Sequence, residues 1–310
     1  MSELDVLVTG ATGFVGARLV AALAEEGHRV RAMTRRPEAY VGPGTPVAGD
    51  VADPEGLGPA LVGVDAAYYL IHSLGSEDFE ERDAEAARAF GAAAAAAGVR
   101  QIIYLGGLGN DDAELSPHLR SRREVESLLA EAGVPVTVLR AAIVVGHGGI
   151  SWEMTRQLID RLPVMAAPSW AATRTQPIAL ADVVRYLVGV LDHPQVLGRV
   201  FEVGGADVLS YEDMLKRAAV IQNNRDVPVV SVPLSGGDLV TDVVARASAY
   251  ALSLLTDVDA DTARTLIGSM DTEVVVSDSS IDEVVLLEPL GYEEMVTLAL
   301  EERLAEGDPV

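Results

Sequence analysis

The chain has 310 residues, a formal charge of −24 and no cysteine. That length supplies core for one large domain or two modest ones, and without cysteine there is no disulfide framework, thiol nucleophile or Cys-based zinc site. The acidic balance makes nucleic acid a poor partner, because phosphate contacts need a basic face.

Lys216 is the sole lysine among 23 basic residues. The acidity has two readings, an adaptation to high salt or a codon bias that favours arginine. Glu3 and Asp5 stand where a basic leader would begin, so no signal peptide is expected. The longest apolar stretches are too short to span a bilayer, and Arg140 and Arg246 interrupt the best of them. The expectation is a cytoplasmic protein with no membrane span.

In chain order, "DVLVTG" reads as a short apolar strand, and "FVGARLVAALAEEG" as a helix stopped by Gly27. "RVRAMTR" and "GTPVAGDV" are the second and third strands, "GLGPALVGV" a short helix, and "AAYYLIHS" a fourth, buried strand. "FEERDAEAARAFGAAAAAAG" is a long helix whose alanine run lets it lie close against a sheet. "RQIIYLGG" is the fifth strand, "LRSRREVESLLAEAG" a helix and "VPVTVLRAAIVVG" the sixth strand. Such alternation predicts a parallel sheet with helices on both faces.

After Gly146 the alternation weakens. "SWEMTRQLIDRLPVMAAPSW" reads as helix then loop. "TQPIAL" and "RVFEVGG" are strands, with Asp182 and Ser210 as the N-caps of the helices that follow. Over residues 238–256, Leu239, Val243, Ala247, Tyr250, Leu254 and Leu255 recur at helical steps. The expected architecture is a doubly wound α/β Rossmann sheet over residues 1–225, with 150–175 contributing to a small C-terminal cap of residues 226–310.

"LVTGATGFVG" places Gly10, Gly13 and Gly16 between the first strand and the first helix. In such a turn the first glycine permits the tight bend, the second lets backbone approach a pyrophosphate, and the third lets helix pack on strand. The helix start then offers free N–H groups and the positive end of its dipole. Gly10, Thr12, Gly13, Phe14, Val15 and Gly16 are therefore expected on a dinucleotide. An NAD site carries an acid about 20 residues further on, to hold the ribose 2′-hydroxyl. Here the second strand ends "MTRRP", so Arg35 and Arg36 stand there instead. A guanidinium suits a 2′-phosphate, which favours NADP(H) over NAD(H). Asp50 and the next residue, Val51, follow the third strand, where a carboxylate and an N–H could hold adenine.

Together these stretches resemble the short-chain dehydrogenase/reductase superfamily. "TGATGFVG" is similar to its extended and atypical glycine signature and "GDV" to its adenine-side signature. "YYLIHS", "IIYLGGLG", "LSPHLRSRREVE", "LRAAIVVG" and "TQPIALADVVRYL" resemble the NmrA-like branch of NAD(P)-binding proteins, which is also similar to the nucleotide-binding accessory subunit of respiratory complex I. The resemblance covers residues 4–220 well. It implies cofactor contacts from Leu70, His72 and Ser73 after the fourth strand, Gly106 and Gly107 after the fifth, Arg122, and Arg140 on the sixth. Active members of the superfamily use a Ser or Thr with a Tyr and Lys spaced Y-x-x-x-K. Here the Ser position reads Gly106–Gly107, and the Tyr and Lys positions read His118 and Arg122. Histidine can donate a proton near neutral pH, so His118 is the candidate acid; arginine stays charged and cannot relay one.

No two of the five histidines stand four residues apart, so no helical metal site is expected. His147, which ends the sixth strand, is a further candidate at the ligand edge. Trp152, Met154, Met165, Trp170 and Tyr250 have two readings, as plain core or as the wall of a cleft for an apolar substrate such as a quinone, isoprenoid or polyketide. Two functions remain open. One is an NADPH-dependent reductase lacking the triad. The other is an NADP(H)-binding redox sensor or assembly partner without turnover.

Overall fold

The computed structural model describes residues 3–73, 78–109, 115–162, 165–167, 169–226, 228–231 and 256–308. The expected helix of residues 238–256, with Leu239, Val243, Ala247, Tyr250, Leu254 and Leu255, lies outside the described residues except at Thr256.

Seven strands form one parallel sheet: β1 (Asp5–Val8), β2 (Arg29–Thr34), β3 (Thr45–Ala48), β4 (Ala66–Tyr69), β5 (Gln101–Gly107), β6 (Val136–Ala141) and β11 (Val200–Val203). Their spatial order is β11-β6-β5-β4-β1-β2-β3, so the order reverses between β1 and β4. In sheets wound this way ligands bind at that reversal, outside the carboxyl ends of the strands.

Helices cover both faces because each strand alternates its side chains. Val6 and Val8 face the core under α1 (Phe14–Glu25) and α6 (Leu180–Gly189), with Leu19, Leu23, Val183 and Leu187. Leu7, Tyr69 and Tyr104 face the other way, toward α2 (Pro54–Leu61), α3 (Phe79–Ala97) and α4 (Pro117–Ala130). The small residues of α3 bring it against its neighbouring helix as well as the sheet. A Cβ on Gly91 would lie 2.7 Å from the Leu129 carbonyl oxygen of α4.

The chain then adds β7 (Val144–Val145), α5 (Ile150–Arg161), β8 (Met165–Ala167), β9 (Arg174–Thr175), β10 (Ile178–Ala179), β12 (Leu209–Ser210), α7 (Tyr211–Asn223) and β13 (Val229–Ser231). Ser210 caps α7 as expected, its hydroxyl accepting the Asp213 N–H at 3.1 Å. Asp182 does not cap α6, which starts at Leu180. Its carboxylate is buried and accepts the Leu290 N–H at 2.8 Å, tying the helix to the C-terminal segment.

Beyond Thr256 come α8 (Ala260–Ser269) and α9 (Tyr292–Ala305). α9 buries Tyr292, Met295 and Val296 in a separate core with Val145, Trp152 and Met214, to one side of the sheet. No helix among the described residues is long and apolar enough to cross a membrane.

Candidate functional site

At the strand-order reversal lies an open cleft of about 490 Å³. The β1–α1 turn forms its floor. Gly10 takes a left-handed conformation (φ +64°) that L side chains rarely adopt. A Cβ on Gly16 would lie 2.1 Å from the Gly10 carbonyl oxygen, so only glycine lets the helix leave at this angle. A Cβ on Gly13 would meet only that same oxygen, at 3.1 Å, and otherwise open space. Gly13 is also the N-cap of α1 and supplies no side-chain cap. The turn thus offers a Cβ-free approach to uncapped N–H groups at a helix start, which fits a pyrophosphate.

One wall is the segment that leaves β4, Leu70–His72. It rests on the turn: a Cβ on Gly10 would lie 3.1 Å from the Leu70 carbonyl oxygen and 3.5 Å from an Ile71 side-chain carbon. Thr9, fully buried, links the two, its hydroxyl donating to the Tyr68 carbonyl and accepting the Leu70 N–H, both at 3.0 Å. The facing wall is Gly106–Gly107, with His118 and Arg122 from α4. The outer end is apolar, with Ile143, Ile150, Leu266 and Val274, and carries the hydroxyls of Ser151, Tyr211 and Ser269. In a chain of charge −24, no carboxylate among the described residues lines this cleft, and among them Arg122 carries its fixed charge.

Arg122 organises the electrostatics. Its guanidinium donates to the Leu105 carbonyl and lies 4.9 Å over the Tyr104 ring. Enclosure in the cleft, then the Arg122 charge, pushes the His118 imidazole down to about 4, so it is neutral at physiological pH. The His72 imidazole is lowered as well, by desolvation first and then by the Arg122 and His118 charges. A neutral imidazole can donate a hydrogen bond from one nitrogen but is not an acid of ordinary histidine strength.

Side-chain ends from α4 lie close above the glycine pair. A Cβ on Gly107 would lie 2.8 Å from Leu119 Cδ2, and one on Gly106 would lie 3.0 Å from a carboxylate oxygen of Glu126.

The structure brings together Gly10, Thr12, Gly13, Phe14, Val15, Gly16, Leu70, His72, Gly106, Gly107, His118 and Arg122 on this cleft. Arg35, Arg36 and Asp50 stand apart from it, at the carboxyl ends of the adjoining strands β2 and β3. Arg35 and Arg36 are exposed, and neither guanidinium has a partner among the described residues. Asp50 accepts the Ala52 N–H at 3.0 Å, and the Val51 side chain is buried in the core. Ser73 is not among the residues lining the cleft; its N–H donates to Asp83 at 2.9 Å.

Five expected residues fall elsewhere. Arg140 points to the α4 side, where its guanidinium grips Glu126 at 2.7 and 3.0 Å. Strand alternation sends it there, while Ala141 beside it reaches the cleft. Trp152 is core, 1% exposed among Val145, Ala179 and Met295. Met154 and Trp170 form a second layer behind Tyr211, the indole meeting that ring edge-on at 5.9 Å. Tyr250 lies outside the described residues. His147 ties the C-terminal end instead, its two ring nitrogens 3.2 Å from Glu153 and from Glu306.

Sequence reasoning missed Tyr211, Leu266, Ser269 and Val274, which reach the cleft from far along the chain. Gly148 and Gly149 carried a readable signal. Phe14 of the turn packs on them, and a Cβ on Gly149 would lie 2.7 Å from its ring.

Comparison with known proteins gives three kinds of likeness. A family described as NAD(P)H-binding matches residues 10–194. Over 216 residues the chain is 37% identical to a (4-alkanoyl-5-oxo-2,5-dihydrofuran-3-yl)methyl phosphate reductase of Streptomyces griseus subsp. griseus, covering 66% of this chain and 69% of that protein. Over 207 residues it is 32% identical to a ceramide reductase of Caulobacter vibrioides, covering 63% of each. Among solved structures, an epimerase from Methanothermobacter thermautotrophicus superimposes with a TM-score of 0.74 at 15% identity, over 99% of this chain and 94% of that one. At that identity the likeness is one of fold.

Proposed function

The chain belongs to the NAD(P)H-binding family, and on that premise we propose that it is an NADPH-dependent reductase of an apolar substrate, working without a Ser–Tyr–Lys triad. The observation that carries this reading is the cleft itself, which joins an uncapped glycine turn to an apolar outer end with no carboxylate among its described residues. When bound, the cofactor supplies a hydride.

The chain's own residues do the rest. The glycine turn holds the pyrophosphate, and Arg35, with Arg36 beside it, holds the 2′-phosphate. Arg122 gives positive potential at the inner wall. His118 in its neutral form donates a hydrogen bond to a substrate oxygen, and the proton itself comes from water. Ile143, Leu266 and Val274 exclude water around the substrate body, with Tyr211 and Ser269 as polar anchors. The names of the two bacterial relatives each pair an acyl group with polar groups, an alkanoyl furanone methyl phosphate in one and a ceramide in the other, so an apolar cleft with a few polar anchors suits substrates of that kind.

The test is the absorbance of protein-bound NADPH as apolar ketones and enones are added. Saturable oxidation of the cofactor by one class supports the reading. A second reading, binding without turnover, is favoured by Arg122, whose guanidinium is already engaged by Leu105 and Tyr104. Tight NADPH binding with no oxidation across the panel would select it.

A further inference from the structure

The Leu70–His72 wall is held at both ends by side chains that never enter the cleft. Thr9 holds the Leu70 N–H. At the other end Asp83, on α3, accepts the Ser73 N–H at 2.9 Å. Asp83 is 5% exposed, a carboxylate buried on a helix whose other inward residues are Ala84, Ala86, Ala87, Phe90, Gly91 and Ala94. Burial raises its proton affinity, and the Ser73 hydrogen bonds and the Arg122 charge offset that only in part. A buried carboxylate is costly unless hydrogen-bonded. The stretch that Asp83 holds at one end packs on the glycine turn at the other, where a Cβ on Gly10 would lie 3.1 Å from the Leu70 carbonyl oxygen.

We infer that Asp83 is a positioning residue for the cofactor: by holding the Ser73 N–H it sets the distance between the Leu70–His72 wall and the glycine turn, and so the width of the slot into which the dinucleotide fits. The inference rests on the reading that the cofactor lies in this cleft. Asp83 touches neither cofactor nor substrate, and it acts through Ser73. Its role requires an acceptor oxygen at that place, not a negative charge.

Asp83→Leu keeps nearly the same shape and removes the acceptor, whereas Asp83→Asn keeps a carbonyl oxygen. Two readouts are taken on folded, full-length protein: the dissociation constant of NADPH by calorimetry, per folded molecule, and the hydrogen exchange of the Ser73 amide. Asp83→Leu is expected to weaken NADPH about tenfold or more and to speed Ser73 exchange. Asp83→Asn is expected to restore both to near the parent values. Asp83→Ala serves the same purpose if the leucine variant does not fold. A merely structural role would lower the melting temperature of both variants and leave the dissociation constant per folded molecule unchanged. Equal NADPH affinity in the parent and Asp83→Leu overturns the inference, as does an asparagine variant as weak as the leucine one. If the parent itself binds no NADPH, the cofactor reading fails. Ser73 exchange that is unaltered in Asp83→Leu would then show separately that Asp83 does not hold this wall.

Discussion

Arg35 and Arg36 are two exposed guanidiniums with no partner among the described residues, in a molecule rich in carboxylates. Leaving them unpaired keeps their donors ready for an anion, and a 2′-phosphate is the anion that strand position suits. Arg35→Ala should therefore weaken NADPH by about 1.5–3 kcal/mol, the range for a hydrogen bond to a charged group, and leave NADH nearly unchanged. Calorimetry with both cofactors checks this; equal affinities in the parent would contradict it. His118 makes a second residue-scale prediction. Its imidazole, pushed down to about 4, holds no proton through the neutral range. The rate of reduction should then stay flat from roughly pH 8 down to 5.5 and rise only below that, whereas an ordinary histidine acid would lose rate as pH climbs through about 6.5. A single ionisation near 6.5 in the pH–rate profile, abolished by His118→Ala, would show that the free-protein electrostatics do not govern turnover. At this scale the sequence is legible where a residue type serves a local need, as with the histidine and arginine on α4 that line the cleft. Asp83 was not legible, because one carboxylate in "FEERDAEAARAF" looks like its exposed neighbours until the helix is docked.

At the scale of elements, the β1–α1 turn separates two kinds of glycine. Gly16 serves the fold, since a Cβ there would overlap the Gly10 carbonyl at 2.1 Å. Gly13 faces the cleft, where a Cβ meets only one atom at 3.1 Å. Gly13→Val should abolish NADPH binding with little change in the far-UV spectrum. Gly16→Ala should lower stability by at least ~2 kcal/mol, as overpacking against backbone does. Denaturant melts and a binding titration on the two variants distinguish these roles; the opposite pattern would place the nucleotide elsewhere. α5 provides the contrasting case. Its tryptophan reads in the sequence either as core or as a ligand wall, and it is buried with α7 and α9. Trp152→Ala should cost about 3–5 kcal/mol of stability and leave NADPH affinity unchanged at temperatures where the protein is folded. Strand–helix alternation, the glycine turn and the Ser210 cap were readable because their constraints act within a few residues. Which way Arg140 or Trp152 faces was not, because that depends on which neighbour packs on each face, and Asp182 looked like a cap until its burial against the C-terminal segment was known.

Across the whole molecule the charge is unevenly placed. The chain carries 47 acidic residues against 23 basic ones, yet the acids are absent from the described lining of the cleft. An acidic exterior repels anions at long range, so the uncapped start of α1, Arg122 and the exposed arginines after β2 must supply a local positive field at the site. The excess acids also repel one another. Raising sodium chloride from about 0.05 to 1 M should therefore raise the melting temperature by screening that repulsion; a falling melting temperature would mean that the surface ion pairs outweigh it. Distant segments complete the site, since Tyr211 from α7, Leu266 and Ser269 from α8, and Val274 close its outer end. No periodicity could have joined these to the glycine turn, because only the docked fold makes them neighbours. The nicotinamide end of NADPH is expected to lie in this cleft, between Gly107 and the apolar outer end. The direct measurement is an intermolecular nuclear Overhauser experiment on methyl-labelled protein saturated with NADPH. Cross-peaks from the nicotinamide ring protons to the methyls of Leu119 and Ile143, which line the cleft beside and beyond Gly107, are the predicted result; saturation with NADPH that leaves both methyl groups unshifted and without cross-peaks would contradict it.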